Sequence, residues 1–391
     1  MKRIKQKNLL FLFLILYYNI CHMNLKGKGT HDTIMIGTIM NKQKELIMRL
    51  SDAFGPSGME DEVVAIAKEE LSDFHVKEDR MRNLYIEPQD KQNGVNILLD
   101  AHMDEVGFII QAIKPNGMLR FLTLGSIAPQ NIVGSKIWIK NLKGDMVEAI
   151  CVSKPPHFMS DAEKNKPLTI DDLLLDVGAS SKEEVEQDFY IGIGAFGVPA
   201  TTCSYHEAKA IFMGKAFDDR IGCAAVIQTL KELPQTINYV HATLTSQEEV
   251  GTRGMTCAIH NTNADIAICF EGCPADDSFS EPYMIQTALK KGPMLRHFDV
   301  SMITSPRFQR YALDLAKKLN IPVQESVRKG GGTNGRQLHT AYFGIPTIVI
   351  GIPVRYAHSG IGIMAYEDYR NAIALAKAII QDITVEISAS F

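Results

Sequence analysis

The chain has 391 residues, of which 46% are hydrophobic and 22% charged, an ordinary globular composition with enough length for one large or two moderate domains. The formal net charge of −4 arises without a long run of either sign, so the sequence has no electrostatic footprint for nucleic acid. The seven cysteines are odd in number and form no CxxC motif, which favours a reducing compartment and a cytoplasmic location.

The N-terminus instead has features of a secreted protein. Basic residues between Lys2 and Lys7 precede the apolar run 9–18, the order found in a secretory signal. No small-residue cleavage site follows, and the run is too short to span a bilayer. A second interpretation is a start codon assigned too early, because a helical pattern followed by a glycine- and proline-rich turn begins at Met40. Both interpretations of the extension 1–39 stay open, and we expect no membrane partner.

Patterns of helix and strand alternate after this extension. Apolar residues at helical spacing and short apolar runs predict helices over 41–53 and 60–71 and strands at 83–87 and 95–101. The strand 95–101 is almost entirely apolar, as in a strand buried on both faces of an α/β sheet. It delivers His102 and Asp104 at its carboxyl end, where open α/β sheets place their sites.

The pattern changes between about 113 and 204, where short apolar segments alternate with glycines and prolines and only 181–188 looks helical. The α/β pattern then resumes, with predicted strands at 210–214, 239–245, 265–270, 323–326 and 347–350 and predicted helices at 220–233, 252–260, 306–319 and 367–382. The sequence therefore predicts an α/β fold, with one domain over 40–112 and 205–391 interrupted by an inserted β-rich domain over 113–204.

Two adjacent glutamates, Glu248 and Glu249, follow the apolar strand 239–245. Neighbouring side chains in an extended or turning backbone point in different directions, so one carboxylate can hold a metal while the other faces a water molecule. Taken alone, such a pair is usually solvated surface. The functional interpretation therefore needs metal ligands elsewhere in the chain.

Further candidate ligands follow other predicted strands: His102 with Asp104, Asp218 with Asp219, Glu271, which closes its strand, and His358. An aspartate two residues after a histidine can hold the second ring nitrogen and fix the tautomer. Simpler alternatives exist, since Asp218 and Asp219 could cap the helix that begins at Arg220 and the others could be loop or surface charge. These residues are of types that bind zinc, cobalt or manganese, and each lies at the end of a predicted strand. Their number favours a metal site.

Five segments, LLDAHMDEVGF, GKAFDDRIGC, TSQEEVGTRG, KGGGTNGR and IPVRYAHS, resemble in this order the motif series of metallopeptidase family 42, the glutamyl, deblocking and tetrahedral aminopeptidases. The resemblance covers about residues 40–385. It implies a mixed-sheet, zinc-peptidase-like catalytic domain whose β-rich insertion is a dimerisation domain. It also implies that dimers assemble into a dodecameric tetrahedral shell.

The resemblance assigns roles to the site residues. The implied metal ligands are His102, Asp218, Glu249, Glu271 and His358, and the implied catalytic residues are Glu248 as general base and Asp104 as the partner of His102. Asp218 would bridge two divalent cations, zinc or cobalt and otherwise manganese, and a cis peptide would join it to Asp219. Glu249 and His358 would complete one cation's ligands, and His102 and Glu271 those of the other. Such a pair of cations shares a water molecule, lowers its pKa and polarises the scissile carbonyl.

Two positions depart from the family pattern. Glu271 stands where aspartate is more frequent, and Asn334 replaces an aspartate, which would remove a charge near the substrate. The sequence thus predicts a dinuclear aminopeptidase acting on peptides with a free amino terminus. One alternative is the same metals acting on a sugar, for which the single Trp138 offers little stacking surface. The other is an inactive metal-binding scaffold, although all the ligand positions and the base are filled.

Overall fold

The computed structural model describes residues 30–88 and 93–391, with side chains from residue 40 onward. The signal-like segment predicted at the N-terminus lies outside these residues. The first helix, α1, is Thr30–Asp52 and begins before the predicted start at 41, since no proline interrupts this stretch. Among the helices that are described, none combines the length and apolar character needed to cross a bilayer. The chain divides into two compact units between Glu45 and Leu46, and the second unit, Leu46–Phe391, contains the strands.

Most of the second unit is built from short strands and the helices that cover them. The strands of the described ranges are β1 (His75–Glu78), β2 (Leu84–Glu87), β3 (Asn96–His102), β4 (Gly107–Ile113), β5 (Leu119–Leu124), β6 (Lys136–Lys140), β7 (Met146–Ser153), β8 (Leu173–Asp176), β9 (Phe196–Pro199), β10 (Ser204–His206), β11 (Ile211–Gly214), β12 (Tyr239–Thr245), β13 (Ile266–Pro274), β14 (Met294–Asp299), β15 (Met302–Ile303), β16 (Gln324–Val327), β17 (Thr347–Arg355) and β18 (Gly362–Ala365). The helices after α1 are α2 (Asp61–Glu70), α3 (Asp161–Lys164), α4 (Lys182–Gln187), α5 (Phe217–Glu232), α6 (Arg253–Ala258), α7 (Pro306–Leu319), α8 (Gly335–Leu338), α9 (Tyr366–Asp382) and α10 (Val385–Ser388).

A mixed sheet of 12 strands forms the larger part of the unit, in the order β1-β2-β12-β3-β13-β17-β18-β11-β10, with β14 joined to β17 and carrying β15 and β16. Its central strands β12, β3, β13 and β17 are parallel, so their carboxyl ends meet at one edge. Helix α5 packs against β3 and β13, and α9 packs against α5. On the other face, Leu98 and Val349 share a core cluster with Met255 and Leu338. Burial on both faces explains why the central strands read as continuous apolar runs.

The strands β4, β5, β8, β7, β6 and β9 close into a separate small barrel. Its core includes the T-shaped pair Phe108 and Phe121, with ring centroids 5.3 Å apart. The barrel begins with β4 at Gly107, ahead of the predicted boundary near 113. Only four residues separate Gly107 from the end of β3 at His102, so no change of composition marks the transition. The sequence therefore predicts a β-rich module in this part of the chain, as the barrel shows. The domain boundaries 113 and 204 stay a prediction.

Other elements differ from prediction for local reasons. Strand β1 has only four residues, and β14 carries Arg296, His297 and Asp299, which hide its strand pattern. The four-residue helix α3 lies within 113–204, where only 181–188 was expected to be helical. Strand β13 continues to Pro274 because it stays paired with β17, so Glu271 lies within the strand and does not close it.

His241 in β12 is a buried histidine away from the strand ends. Its ring stacks on Tyr239 with centroids 5.5 Å apart, and its Nε2 has no hydrogen-bond partner in the described part of the chain. Burial lowers the pKa of His241 to about 4, outweighing the nearby charge of Glu87. The same group in the unfolded chain has a pKa of about 6.5. The unfolded state therefore binds more protons as the pH falls from about 6.5 to about 4, and stability is lost over that window.

Replacing His241 with phenylalanine should remove this part of the pH dependence. For the native chain we expect His241 to cost about 2 kcal/mol of unfolding free energy between pH 7 and pH 5. Urea unfolding of both proteins at the two pH values measures the difference, and carboxylates common to both cancel. An unchanged pH dependence in His241→Phe would contradict the assignment.

Candidate functional site

The parallel strands gather all the predicted site residues at the carboxyl edge of the sheet, namely His102 at the end of β3, Asp104 just beyond it, Asp218 at the start of α5, Glu248 and Glu249 after β12, Glu271 in β13 and His358 after β17. The edge is where parallel strands present their last side chains to one another. Together these residues form a single cluster.

Asp218 lies between two histidines. Its Oδ1 is 3.3 Å from Nε2 of His102, and its Oδ2 is 3.1 Å from Nε2 of His358. The peptide bond between Asp218 and Asp219 is cis, as the resemblance implied. Burial would lower the pKa of His358, but the hydrogen bond to Asp218 and the neighbouring carboxylates raise it to about 10. The two oxygens of Asp218 thus face two different imidazoles.

Two sets of ligand atoms meet around His102. The atoms of His102, Asp218 and Glu249 lie within 4.8 Å of one another, as do those of His102, Asp219 and Glu271. Asp219, however, already uses both oxygens, since Oδ1 accepts the N–H of Gly222 at 3.0 Å and Oδ2 accepts the N–H of His102 at 3.2 Å. The helix-capping alternative therefore describes Asp219. Asp218 instead points into the cluster.

Besides Nδ1 of His102, which faces Asp104, several buried atoms of the cluster make no hydrogen bond to any described residue: Nε2 of His102, Oδ1 of Asp218, Oε1 of Glu249 and Oε2 of Glu271. A buried polar atom without a partner costs about 1–3 kcal/mol, so such atoms are rare in native proteins. Their concentration in one place, on imidazole and carboxylate groups, fits bound divalent cations. The imidazole and carboxylate groups of the cluster are thus of the types that bind the implied metals.

The carboxylates of the cluster raise one another's proton affinity. Burial raises the pKa of Glu248 to about 7, with the charges of Asp104 and Asp218 adding to the effect and the histidines opposing it. Burial likewise raises the pKa of Glu249 and of Glu271 well above the usual range. Cations held among these groups would displace protons and stabilise the ionised carboxylates.

Asp104 holds the turn that carries the two glutamates. Its Oδ1 accepts the N–H of Glu248 at 2.8 Å, and its Oδ2 accepts the N–H of Glu249 at 3.1 Å. The hydroxyl of Ser57 donates to the same Oδ2 at 2.6 Å. Asp104 also lies 3.2 Å from Nδ1 of His102, so one carboxylate orients both the imidazole and the turn. Ser57 was not predicted, because its turn reads only as the end of a helix.

Two more contacts have no sequence signal. Glu60, which is fully buried, accepts the N–H of Gln247 through Oε1 at 3.1 Å and so supports the same turn. The carbonyl oxygen of Ser126, at the end of the barrel strand β5, accepts a hydrogen bond from Nδ1 of His358 at 2.7 Å. A glutamate near a helix start is ordinarily surface, and a backbone carbonyl has no residue type to recognise.

Asn334 lies beneath the cluster, where it contacts Asp100 and Thr245. Its side chain is buried, and Nδ2 donates to Asp100 at 2.9 Å and to the hydroxyl of Thr245 at 2.7 Å. The expectation that its neutral side chain removes a charge near the substrate stays a prediction. A neutral amide is suited to this place because it donates hydrogen bonds to a buried aspartate.

Comparisons with known proteins identify the family of the chain. The family model described as M42 glutamyl aminopeptidase matches residues 82–375, which include all the residues of the cluster. The chain belongs to the M42 aminopeptidase family. Members of the M42 family are metal-dependent peptidases that hydrolyse peptide bonds. The family and fold expected from the sequence are confirmed.

The similarity to individual relatives extends over most of the chain. The lysyl aminopeptidase of Pyrococcus furiosus is 30% identical over 348 residues, 87% of this chain and 97% of the relative. The TET aminopeptidase structure from a marine sediment archaeon of the Thaumarchaeota has a TM-score of 0.85 and 35% identity, covering 90% of this chain and 99% of that one. The TET1 peptidase of Pyrococcus horikoshii, with a TM-score of 0.77 and 27% identity over 87% and 100% of the two chains, can assemble into a tetrahedron or a large octahedral shell.

Proposed function

We propose that this M42 protein is a dinuclear metal-dependent aminopeptidase that removes residues from the amino terminus of peptides, with Glu248 as general base. The observation that carries the proposal is the group of buried, unpartnered ligand atoms around Asp218. Glu248 stands beside this group, with its Oε2 4.0 Å from Nε2 of His102.

The chain offers two ligand sets that share Asp218, one for each cation. Asp218, Glu249 and His358 would hold one, and Asp218, His102 and Glu271 the other. Zinc, cobalt and manganese all suit imidazole and carboxylate ligands. When bound, such cations supply Lewis acidity that polarises the scissile carbonyl and acidifies water.

Glu248 moves the proton. A carboxylate oxygen of Glu248 takes a proton from the water that attacks the scissile carbonyl and delivers it to the leaving amine. General bases work best when their pKa lies near the operating pH, and burial raises the pKa of Glu248 to about 7. Asp104 is the positioning residue, since it holds the backbone N–H groups of Glu248 and Glu249.

The assembled form is also part of the proposal. We propose dimers formed through the inserted β-rich domain predicted over 113–204, which contains most of the barrel, and, by analogy with the TET relatives, a dodecamer built from such dimers. The tetrahedral shell of the Pyrococcus horikoshii relative supports this assembly. The cytoplasmic location stays a proposal that rests on the cysteine composition.

Metal removal tests the proposed chemistry. Purified protein should release the first residue from aminoacyl chromophores and from a peptide with a free amine, but not from the same peptide after acetylation of its amine. Prolonged chelation should reduce the rate to background, and Zn²⁺ or Co²⁺ should restore it, because water and carbonyl activation depend on the cations. Cellulose incubated with the same preparation tests the sugar alternative. Hydrolysis that survives complete metal loss would refute the proposal.

A further inference from the structure

The loop that carries His358 joins β17 to β18 and is tied to the barrel at two points. The carbonyl oxygen of Ser126 accepts the hydrogen bond from Nδ1 of His358 at 2.7 Å. The hydroxyl of Thr201 donates to the carbonyl oxygen of Gly360, in the same loop, at 2.6 Å. Ser126 follows β5 and Thr201 follows β9, so both ties come from the barrel.

We propose that the barrel is a structural part of the active site as well as a candidate dimerisation domain. The barrel turn Gly125–Ser126 is a positioning element for the metal ligand His358, and Thr201 holds the loop that carries this ligand. The inference rests on the proposed metal-dependent function, because it assigns the turn a task in binding one of the two cations.

The hydrogen bond to Ser126 selects the tautomer of His358. A carbonyl oxygen only accepts, so Nδ1 of His358 must carry a hydrogen. The other ring nitrogen, Nε2, then faces Oδ2 of Asp218 at 3.1 Å and Oε1 of Glu249 at 3.4 Å. Metal-binding histidines are held in this way, with the second ring N–H donated to a carbonyl or carboxylate. With a cation in place of the Nε2 proton, His358 would present its lone pair toward the first ligand set in the orientation that the barrel fixes.

The turn also packs against a second ligand of the same set. Gly125 has φ +84°, and a Cβ atom there would lie 3.1 Å from Oε2 of Glu249 and 2.8 Å from Cγ1 of Val106. Val106 lines the cavity bordered by Asp218, Glu249 and His358. A side chain at position 125 would therefore displace the turn, Val106 or Glu249. The contacts of the turn thus reach two ligands of one cation.

A pair of glycine variants in the barrel provides the test. Gly125→Ala introduces both the backbone strain of a positive φ and the clash with the ligand set. Gly134→Ala is the matched control, since Gly134 has φ +83° but an added Cβ there would meet nothing within 4 Å. Zn²⁺ titrations of each full-length, metal-depleted protein measure the affinity and number of bound cations, and denaturant unfolding measures the stability of the same samples.

We expect Gly125→Ala to weaken one of two Zn²⁺ binding steps by about 10–100-fold and to leave the other step unchanged. Gly134→Ala should bind as the native protein does, with a smaller loss of stability than Gly125→Ala because it adds the backbone strain without the clash. Thr201→Val should weaken the same step by a smaller factor, and Thr201→Ser, which keeps the hydroxyl, should restore it. Equal affinities in all variants, or equal weakening in Gly134→Ala, would overturn the inference.

These outcomes separate the inference from the proposed function, because the titration needs no peptide. A native chain that binds two cations with this pattern of variants and does not hydrolyse peptides would refute the proposed function and uphold the inference. A native chain that hydrolyses peptides while the glycine variants bind Zn²⁺ alike would overturn the inference alone.

Discussion

Replacing Glu248 with glutamine is expected to lower kcat by about 10²–10⁴-fold while both cations stay bound. Glutamine keeps the size of the side chain but cannot take a proton from water. The oxygens of Glu248 are not among the buried unpartnered atoms of the cluster, so the metal content should be unchanged. The measurement is kcat on an aminoacyl substrate, with the metal content determined on the same sample.

The neighbouring variant Glu249→Gln is the matched control. It makes the same chemical change one residue away, at a carboxylate whose Oε1 lies 3.4 Å from Nε2 of His358. We expect it to lose activity together with bound metal. The two variants settle which glutamate does which task, since the sequence spacing alone permits either order. Loss of metal in Glu248→Gln with normal metal in Glu249→Gln would reverse the assignment.

Replacing Glu105 with glutamine is expected to cost about 3–5 kcal/mol of unfolding free energy. The carboxylate of Glu105 lies 2.6 and 2.9 Å from Nζ of Lys215 and 3.1 Å from Nη2 of Arg220. All three side chains are buried, and burial already lowers the pKa of Lys215. Removing the negative charge leaves Lys215 and Arg220 without the carboxylate that accepts hydrogen bonds from both of them. Denaturant unfolding of both proteins measures the loss.

A surface pair provides the comparison for this effect. Glu148 and Lys136 are both exposed and form an ion pair, with Oε2 of Glu148 2.9 Å from Nζ of Lys136. Glu148→Gln should cost no more than about 1 kcal/mol, because water screens the pair. Similar losses in Glu105→Gln and Glu148→Gln would contradict the role assigned to the buried network. The buried network also supports the site. Arg220 donates hydrogen bonds to the carbonyl oxygens of Ala53 and Gly55, which come just before Ser57, the partner of Asp104.

The central sheet and the site could be predicted because their signals are local. The strand 95–101 is apolar enough to be recognised as buried, and a parallel strand must place the residue after it at the carboxyl edge of the sheet. His102 and Glu249 therefore could be assigned to one edge without knowing the strand order. The motif series then supplied roles that spacing leaves open, such as the division of tasks between Glu248 and Glu249.

The supporting contacts could not be predicted because they depend on segments distant in sequence. Ser57 meets Asp104 across 47 residues, and Ser126 meets His358 across 232. The hydrogen bond from Asn334 to Asp100 could not be predicted for the same reason, since only the folded chain brings Asn334 to β3. Gly125 reads as an ordinary turn residue until the packing of Glu249 against it is known.

Anomalous diffraction from crystals grown with Zn²⁺ would test the dinuclear site most directly. We expect two anomalous peaks in each subunit, one bounded by Asp218, Glu249 and His358 and the other by Asp218, His102 and Glu271. Glu248 should touch neither peak as a ligand. A single peak, or a peak whose ligands include Glu248 and exclude Glu249, would contradict the proposed dinuclear mechanism.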